Sequence, residues 1–246
     1  MRGLLIPDAH SNQGQDLSRF VLLNGFIRKH TFDFIMTMGD FVGLDSISHW
    51  NKKRLLTSEG KRYREDMAAG NKALDILLDF PDYCCSHLYY LGGNHEYWGT
   101  KFVEENPSME GFVDPFVNLR LKERGFSVTP YKEYLELGGV QFTHVPMKGG
   151  NPVQGNYVLQ RAFEVVAKST VFGHLHRWET MNGRRLGEDR LIQLATVGCF
   201  FEEEYEAEFL KGCPNPYWRG VAVIDIYAPG MFDLEQVSLA RLERGL

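Results

Sequence analysis

Five short apolar runs punctuate this chain, and each stops abruptly at glycine, proline or a polar residue. The run 3–6 gives way to Pro7-Asp8-Ala9-His10, and 32–38 to Gly39-Asp40. The run 88–91 opens into Gly92-Gly93-Asn94-His95-Glu96, 140–143 into His144, and 170–172 into Gly173-His174-Leu175-His176. Runs this short, flanked by chain-turning residues, predict buried strands rather than helices. Helical periodicity fills the gaps over 16–30, 65–80 and 159–167. Strands alternating with helices predict an α/β fold with loops gathered at the strand C-termini. The tail differs: 220–227 alternates like a strand, 228–230 is a turn, and 232–239 is the expected return strand.

The histidines follow this pattern. Five of the eight, His10, His95, His144, His174 and His176, fall just past predicted strand ends, together with Asp8, Asp40 and Asn94. In an open α/β sheet such junctions line the ligand crevice. Imidazole nitrogen with carboxylate and amide oxygen suits Zn, Mn or Fe(II), and no cysteine among them demands a softer metal. One carboxylate can bridge two cations, and a cation pair about 3.5–4 Å apart can clamp a phosphoryl group. The i,i+2 spacings Asp8/His10 and His174/His176 suit extended chain turning into a loop. His30, His49 and His87 match no such junction.

The ordered blocks D-x-H (Asp8, His10), G-D (Gly39, Asp40), G-N-H-E (93–96), a lone H (His144) and G-H-x-H (173–176) resemble the calcineurin-like metallophosphoesterase superfamily. Any block alone is weak; the ordered set is specific and spans most of the chain. The resemblance implies a four-layer α/β/β/α sandwich, with 1–246 as one domain. It implies that Asp8, His10 and His176 hold a first divalent metal, that Asp40 bridges, and that Asn94, His144 and His174 hold a second. Manganese is the first expectation, with zinc, iron or nickel as alternatives. His95 would face the scissile phosphate as a general acid. The family's G-D-x-x-D or G-D-x-x-N block, whose last residue orients that histidine, departs here at Gly43, and Asp45 is the expected substitute.

Around these blocks, His49, Trp50 and Tyr97 are candidates for touching substrate, with packing around loops as the competing reading for the aromatics, as for Trp98. The segment 52–64 carries six basic residues and could track a polynucleotide, or form a solvated face. The chain's formal charge of −5 means that nucleic acid binding needs such a local patch. The acidic stretch 202–208 reads as a solvated insertion. Four cysteines in no C-x-x-C pair, a start too short in apolar residues for a signal peptide, and no membrane-length run predict a cytoplasmic protein away from membranes. The expected activity is phosphate ester hydrolysis, leaning to phosphodiesters including nucleic acid. A phosphomonoesterase of phosphoproteins or small nucleotides, and a non-catalytic scaffold of the same fold, are the alternatives.

Overall fold

A computed structural model describes residues 1–48, 59–202 and 217–245. Its strands in chain order are β1 (Arg2–Ile6), β2 (Phe32–Thr37), β3 (Cys85–Leu91), β4 (Phe126–Thr129), β5 (Leu135–Leu137), β6 (Val140–Thr143), β7 (Met147–Lys148), β8 (Asn151–Pro152), β9 (Thr170–Phe172), β10 (Trp178–Gly183), β11 (Ile192–Val197), β12 (Gly220–Ala228) and β13 (Met231–Ser238). They form a six-stranded sheet ordered β13-β12-β1-β2-β3-β4, a five-stranded sheet ordered β10-β11-β9-β6-β5, and the small β7-β8 ribbon. Strands β1 to β4 are parallel neighbours, as are β6, β9 and β11. The expected tail hairpin is the antiparallel β12-β13 pair.

Three apolar clusters set the layers. Leu4, Ile6 and Ile35 pack beneath the helices Ser18–Ile27 and Tyr63–Leu77, against Leu23, Ala73 and Leu74. Their sequence neighbours Leu5, Phe34 and Met36 point the other way, into a core shared with Val140, Phe142 and Val171 of the second sheet. Beyond that sheet, Phe172, Ile192 and Leu194 meet the helix Val158–Phe163. β1 and β2 are therefore buried on both faces, which explains why their sequences are continuous apolar runs rather than alternating ones. The result is a mixed α/β sandwich: helices, sheet, sheet, helix.

The helices at 18–27 and 63–77 fall within or beside their predicted spans, while the third is shorter, Val158–Phe163. A helix that pattern reading missed, Asn94–Glu105, begins inside the G-N-H-E block. No described helix is long and apolar enough to cross a membrane. No disulfide forms among the described cysteines.

The parallel strands of both sheets bring their C-terminal ends to one rim. There the ligand-bearing loops are laced together beyond the strands. His10 N–H donates to the Asp40 carbonyl at 2.9 Å, Ser11 N–H to Phe41 at 2.8 Å, and Gly173 N–H to His144 at 3.0 Å. The two sheets are joined at this rim by His144, whose Nδ1 lies 2.9 Å from the Met38 carbonyl oxygen.

Candidate metal centre

Side chains from five strand ends converge on this rim. Asp8, His10 and His176 bring one donor atom each within 4.8 Å of one another; so do His10, Asp40 and His95, and so do Asp40, His144 and His174. Asp40 and His10 each belong to two of these groups, so the donors form one continuous cluster. His10 Nε2 is 3.3 Å from His176 Nε2, which is 3.4 Å from Asp8 Oδ1. His144 Nε2 is 3.3 Å from Asp40 Oδ2, 3.2 Å from His174 Nδ1 and 3.0 Å from Asn94 Oδ1.

These separations test whether the donors fit a metal. Ligands about 2.0–2.1 Å from a shared ion stand about 3.3–3.4 Å apart at tetrahedral angles, and about 3.0 Å apart in an octahedron. The observed 3.0–3.4 Å matches those edges. Buried imidazole nitrogens aimed at one another at such distances would otherwise compete for few protons. The donor set therefore suits a divalent cation, and the buried His/Asp groups can hold one.

The backbone is bent to achieve this. His10, Asp40, His174 and His176 all have positive φ, between 44° and 70°. That region costs a non-glycine residue on the order of 1–3 kcal/mol, and such residues concentrate at functional sites. Gly93 is required for a different reason: a Cβ there would overlap the Asp40 carboxylate and main chain.

Electrostatics follow from burial and crowding. Burial, then the neighbouring His95, lowers His10 well below the ordinary imidazole value. Burial and the nearby His144 push His174 down to about 4. Both are thus neutral at pH 7, with lone pairs available to a cation. Burial also opposes charge on His144, but its pairing with Asp40 outweighs that and lifts this imidazole to about 10. Burial would raise the Asp40 carboxyl; the charges of His144 and His95 overrule it and hold it well below the usual range. A cation held by His144 would have to take the place of that proton.

His95 is fixed on two sides. Its ring stacks on Trp98 with centroids 3.8 Å apart, and its Nδ1 donates a hydrogen bond to the Gly43 carbonyl oxygen. Its Nε2 is left facing the cluster, 3.8 Å from Asp40 Oδ2. This corrects the expectation for Asp45, whose carboxylate instead pairs with Lys61 at 2.9 Å in the turn Asp45–Ile47. At Gly43 the main chain itself makes this contact, and the Asn12 side chain fills the space where a Cβ would project.

Other placements are mixed. Trp98 is buried against His95 and presents no face to a substrate. Tyr97 is half-buried beside Tyr131, with ring centroids 5.3 Å apart. His49 and Trp50 lie outside the described residues, as do 52–58 of the basic segment and 203–208 of the acidic one. Of the remaining basic residues, Lys61 is tied to Asp45. His30 and His87 sit away from the cluster and meet the carbonyls of Phe26 and Asp33.

Pattern reading assigned no role to Glu96. Its buried carboxylate accepts from the N–H groups of Gly93 at 2.8 Å and of Asp40 and Phe41 at 3.0 Å, and from the Tyr90 hydroxyl at 2.8 Å. The signal was available: an acidic residue at the third position of a helix, placed to reach back to its N-terminus. Phe201 and Tyr217, which wall His176 with ring centroids 4.9 Å away, carried no such signal.

No family model and no curated protein matches this chain. A solved crystal structure is similar over 96% of this chain and 99% of its own, at 12% identity and a TM-score of 0.48, too distant to bear on what the site does.

Proposed function

We propose that this protein is a phosphoesterase using two divalent metal ions, of the calcineurin-like metallophosphoesterase type, and that its preferred esters are diesters. The observation that supports this most is the continuity of the donor cluster through Asp40, which stands in donor groups on both its sides. Asp8, His10 and His176 would hold one ion, Asn94, His144 and His174 the other, with Asp40 between them. Bound there, divalent cations supply Lewis-acid polarisation of a phosphoryl group and a water acidified toward neutral pH.

The chain's own residues supply the rest. His95 is locked by Trp98 and by the Gly43 carbonyl so that Nε2 faces the cluster. Nδ1 is the nitrogen that bears hydrogen toward the carbonyl, so a proton on Nε2 makes His95 an imidazolium able to protonate a departing oxygen. The N-terminus of the Asn94–Glu105 helix points its positive end at the same place, already engaging Asp40 Oδ1 through the His95 N–H at 2.8 Å. Anionic ester oxygens are favoured there for the same reason.

The test compares bis(4-nitrophenyl) phosphate with 4-nitrophenyl phosphate, using protein dialysed free of metal and then loaded with manganese. The expected result is metal-dependent hydrolysis with the diester the better substrate. Hydrolysis of the monoester alone sinks the diester assignment, and hydrolysis of neither ester sinks the whole reading.

A further inference from the structure

A second cluster stands beside the donor site, at the β4 edge of the six-stranded sheet. β4 runs parallel to β3, and its C-terminal end opens into the turn 130–133, closed by the Glu133 N–H donating to the Pro130 carbonyl at 3.1 Å. Lys132, third in that turn, has φ of 76°. Glycine is the unstrained choice at such a position. Lysine there points to a use for its side chain.

The Lys132 ammonium lies 4.9 Å from the ring centre of Tyr97 and 5.7 Å from that of Tyr131. Lys101, one helical turn beyond Tyr97, places a second ammonium 5.5 Å from the Tyr97 ring. Neither lysine has an acidic partner among the described residues, and both are exposed. The Tyr131 ring is 6.0 Å from the ring of His144, so the cluster abuts the donor site directly.

Two exposed cations over a pair of half-buried aromatic rings suit a ligand that is both anionic and flat. Lysine stems covering ring faces would explain the packing, but a strained turn is not needed for that. A phosphopeptide offers charge without a flat ring, whereas a single-stranded polynucleotide offers both, since every base has a face that stacks on tyrosine. A chain of net charge −5 also needs a local cationic patch to hold such a strand.

We propose that Tyr97, Tyr131, Lys101 and Lys132 form a binding subsite for a single-stranded polynucleotide, the lysines taking a backbone phosphate and the tyrosines a base. Its orientation, with the next phosphate at the donor cluster, rests on the phosphoesterase reading; the binding itself does not.

The experiment measures binding of fluorescein-labelled oligothymidylate to the metal-free full chain by anisotropy over a salt series. Lys101→Gln/Lys132→Gln is expected to weaken binding and flatten the salt dependence, by about 0.7 in the log–log slope for each phosphate no longer neutralised. Tyr131→Leu is expected to weaken binding roughly tenfold or more with the slope unchanged. Lys132→Gly guards against a folding artefact: it is expected to melt no lower than the wild type while binding more weakly. Wild-type affinity in all three variants, or no binding by the wild type at low salt, overturns the subsite. Wild-type turnover of the chromogenic diester is scored separately. Binding through these residues without turnover removes only the phosphoesterase reading; turnover with undiminished variant binding removes only the subsite.

Discussion

At the scale of single residues, His95 carries the most specific claim. It is 3.8 Å from Asp40 and held by two contacts that involve no donor of the cluster: the Trp98 ring and the Gly43 carbonyl. His95→Asn is therefore expected to leave metal content unchanged and to cut turnover of the chromogenic diester by roughly 10²–10⁴-fold, the worth of a general acid. Metal analysis and steady-state kinetics on the same preparation check this, and full turnover in the variant refutes the role. Asp45→Asn, which loosens a partly exposed pair with Lys61, is expected to keep turnover within about threefold of wild type, since such pairs are worth ~0–1 kcal/mol. Sequence spacing could place a glycine where an orienting side chain is usual. It could not show that the glycine's own carbonyl reaches the imidazole, because main-chain direction follows from the fold and not from residue type.

Among the elements, the Asn94–Glu105 helix is the one that assembles the site. Its Glu96 clamps the main chain that follows two strands, Asp40 and Phe41 after β2 and Gly93 after β3, and also takes the Tyr90 hydroxyl at the end of β3. Burial and the nearby Asp40 raise its carboxyl pKa, yet five donors aim at it, the fifth being the Val42 N–H at 3.5 Å, which demands an acceptor. Glu96→Gln turns an amide N–H₂ toward some of those donors. The expected loss is about 1–3 kcal/mol for each buried donor left without an acceptor, read by urea denaturation, with lowered metal content at sub-saturating metal. Unchanged stability would mean that these hydrogen bonds contribute nothing net. The strands that carry the donors were legible because doubly buried parallel strands leave continuous apolar runs. The helix was not, because its first residues are donors to the site, and only Trp98, Glu96 and Gly99 are buried along it. The turn 130–133 was invisible for the same kind of reason: tyrosine and lysine announce neither a strand nor a metal.

For the whole molecule, pH is the informative variable. Without metal, folded His144 binds its proton more tightly than the ordinary value of 6.5, at about 10. It therefore adds stability that is complete below pH about 6.5 and is lost as pH rises toward 10. His174 works in the other direction. Its folded value is about 4, so the unfolded chain takes the proton first and stability falls as pH drops from about 6.5 to 4. Melting temperature of the metal-free protein is expected to peak between these limbs, and His144→Gln is expected to flatten the alkaline one. Metal affinity is expected to rise with pH up to about 10, since uptake releases the His144 proton; calorimetry in buffers of different ionisation heat counts the protons, and none released contradicts the assignment. Pattern reading reached the donors because their chemistry is unusual at strand ends. It could not reach these opposed shifts, which depend on which imidazole touches Asp40.

One consequence follows from the lacing of the two sheets at the rim. Asp8 accepts from the main-chain N–H of His174, 166 positions further along the chain. The pocket is thus sewn from stretches far apart along the polypeptide, and it exists only once both sheets have docked in register. Any cation captured there fastens early chain to late chain, so free metal in the medium acts as a tuning knob on how long the docked sandwich survives.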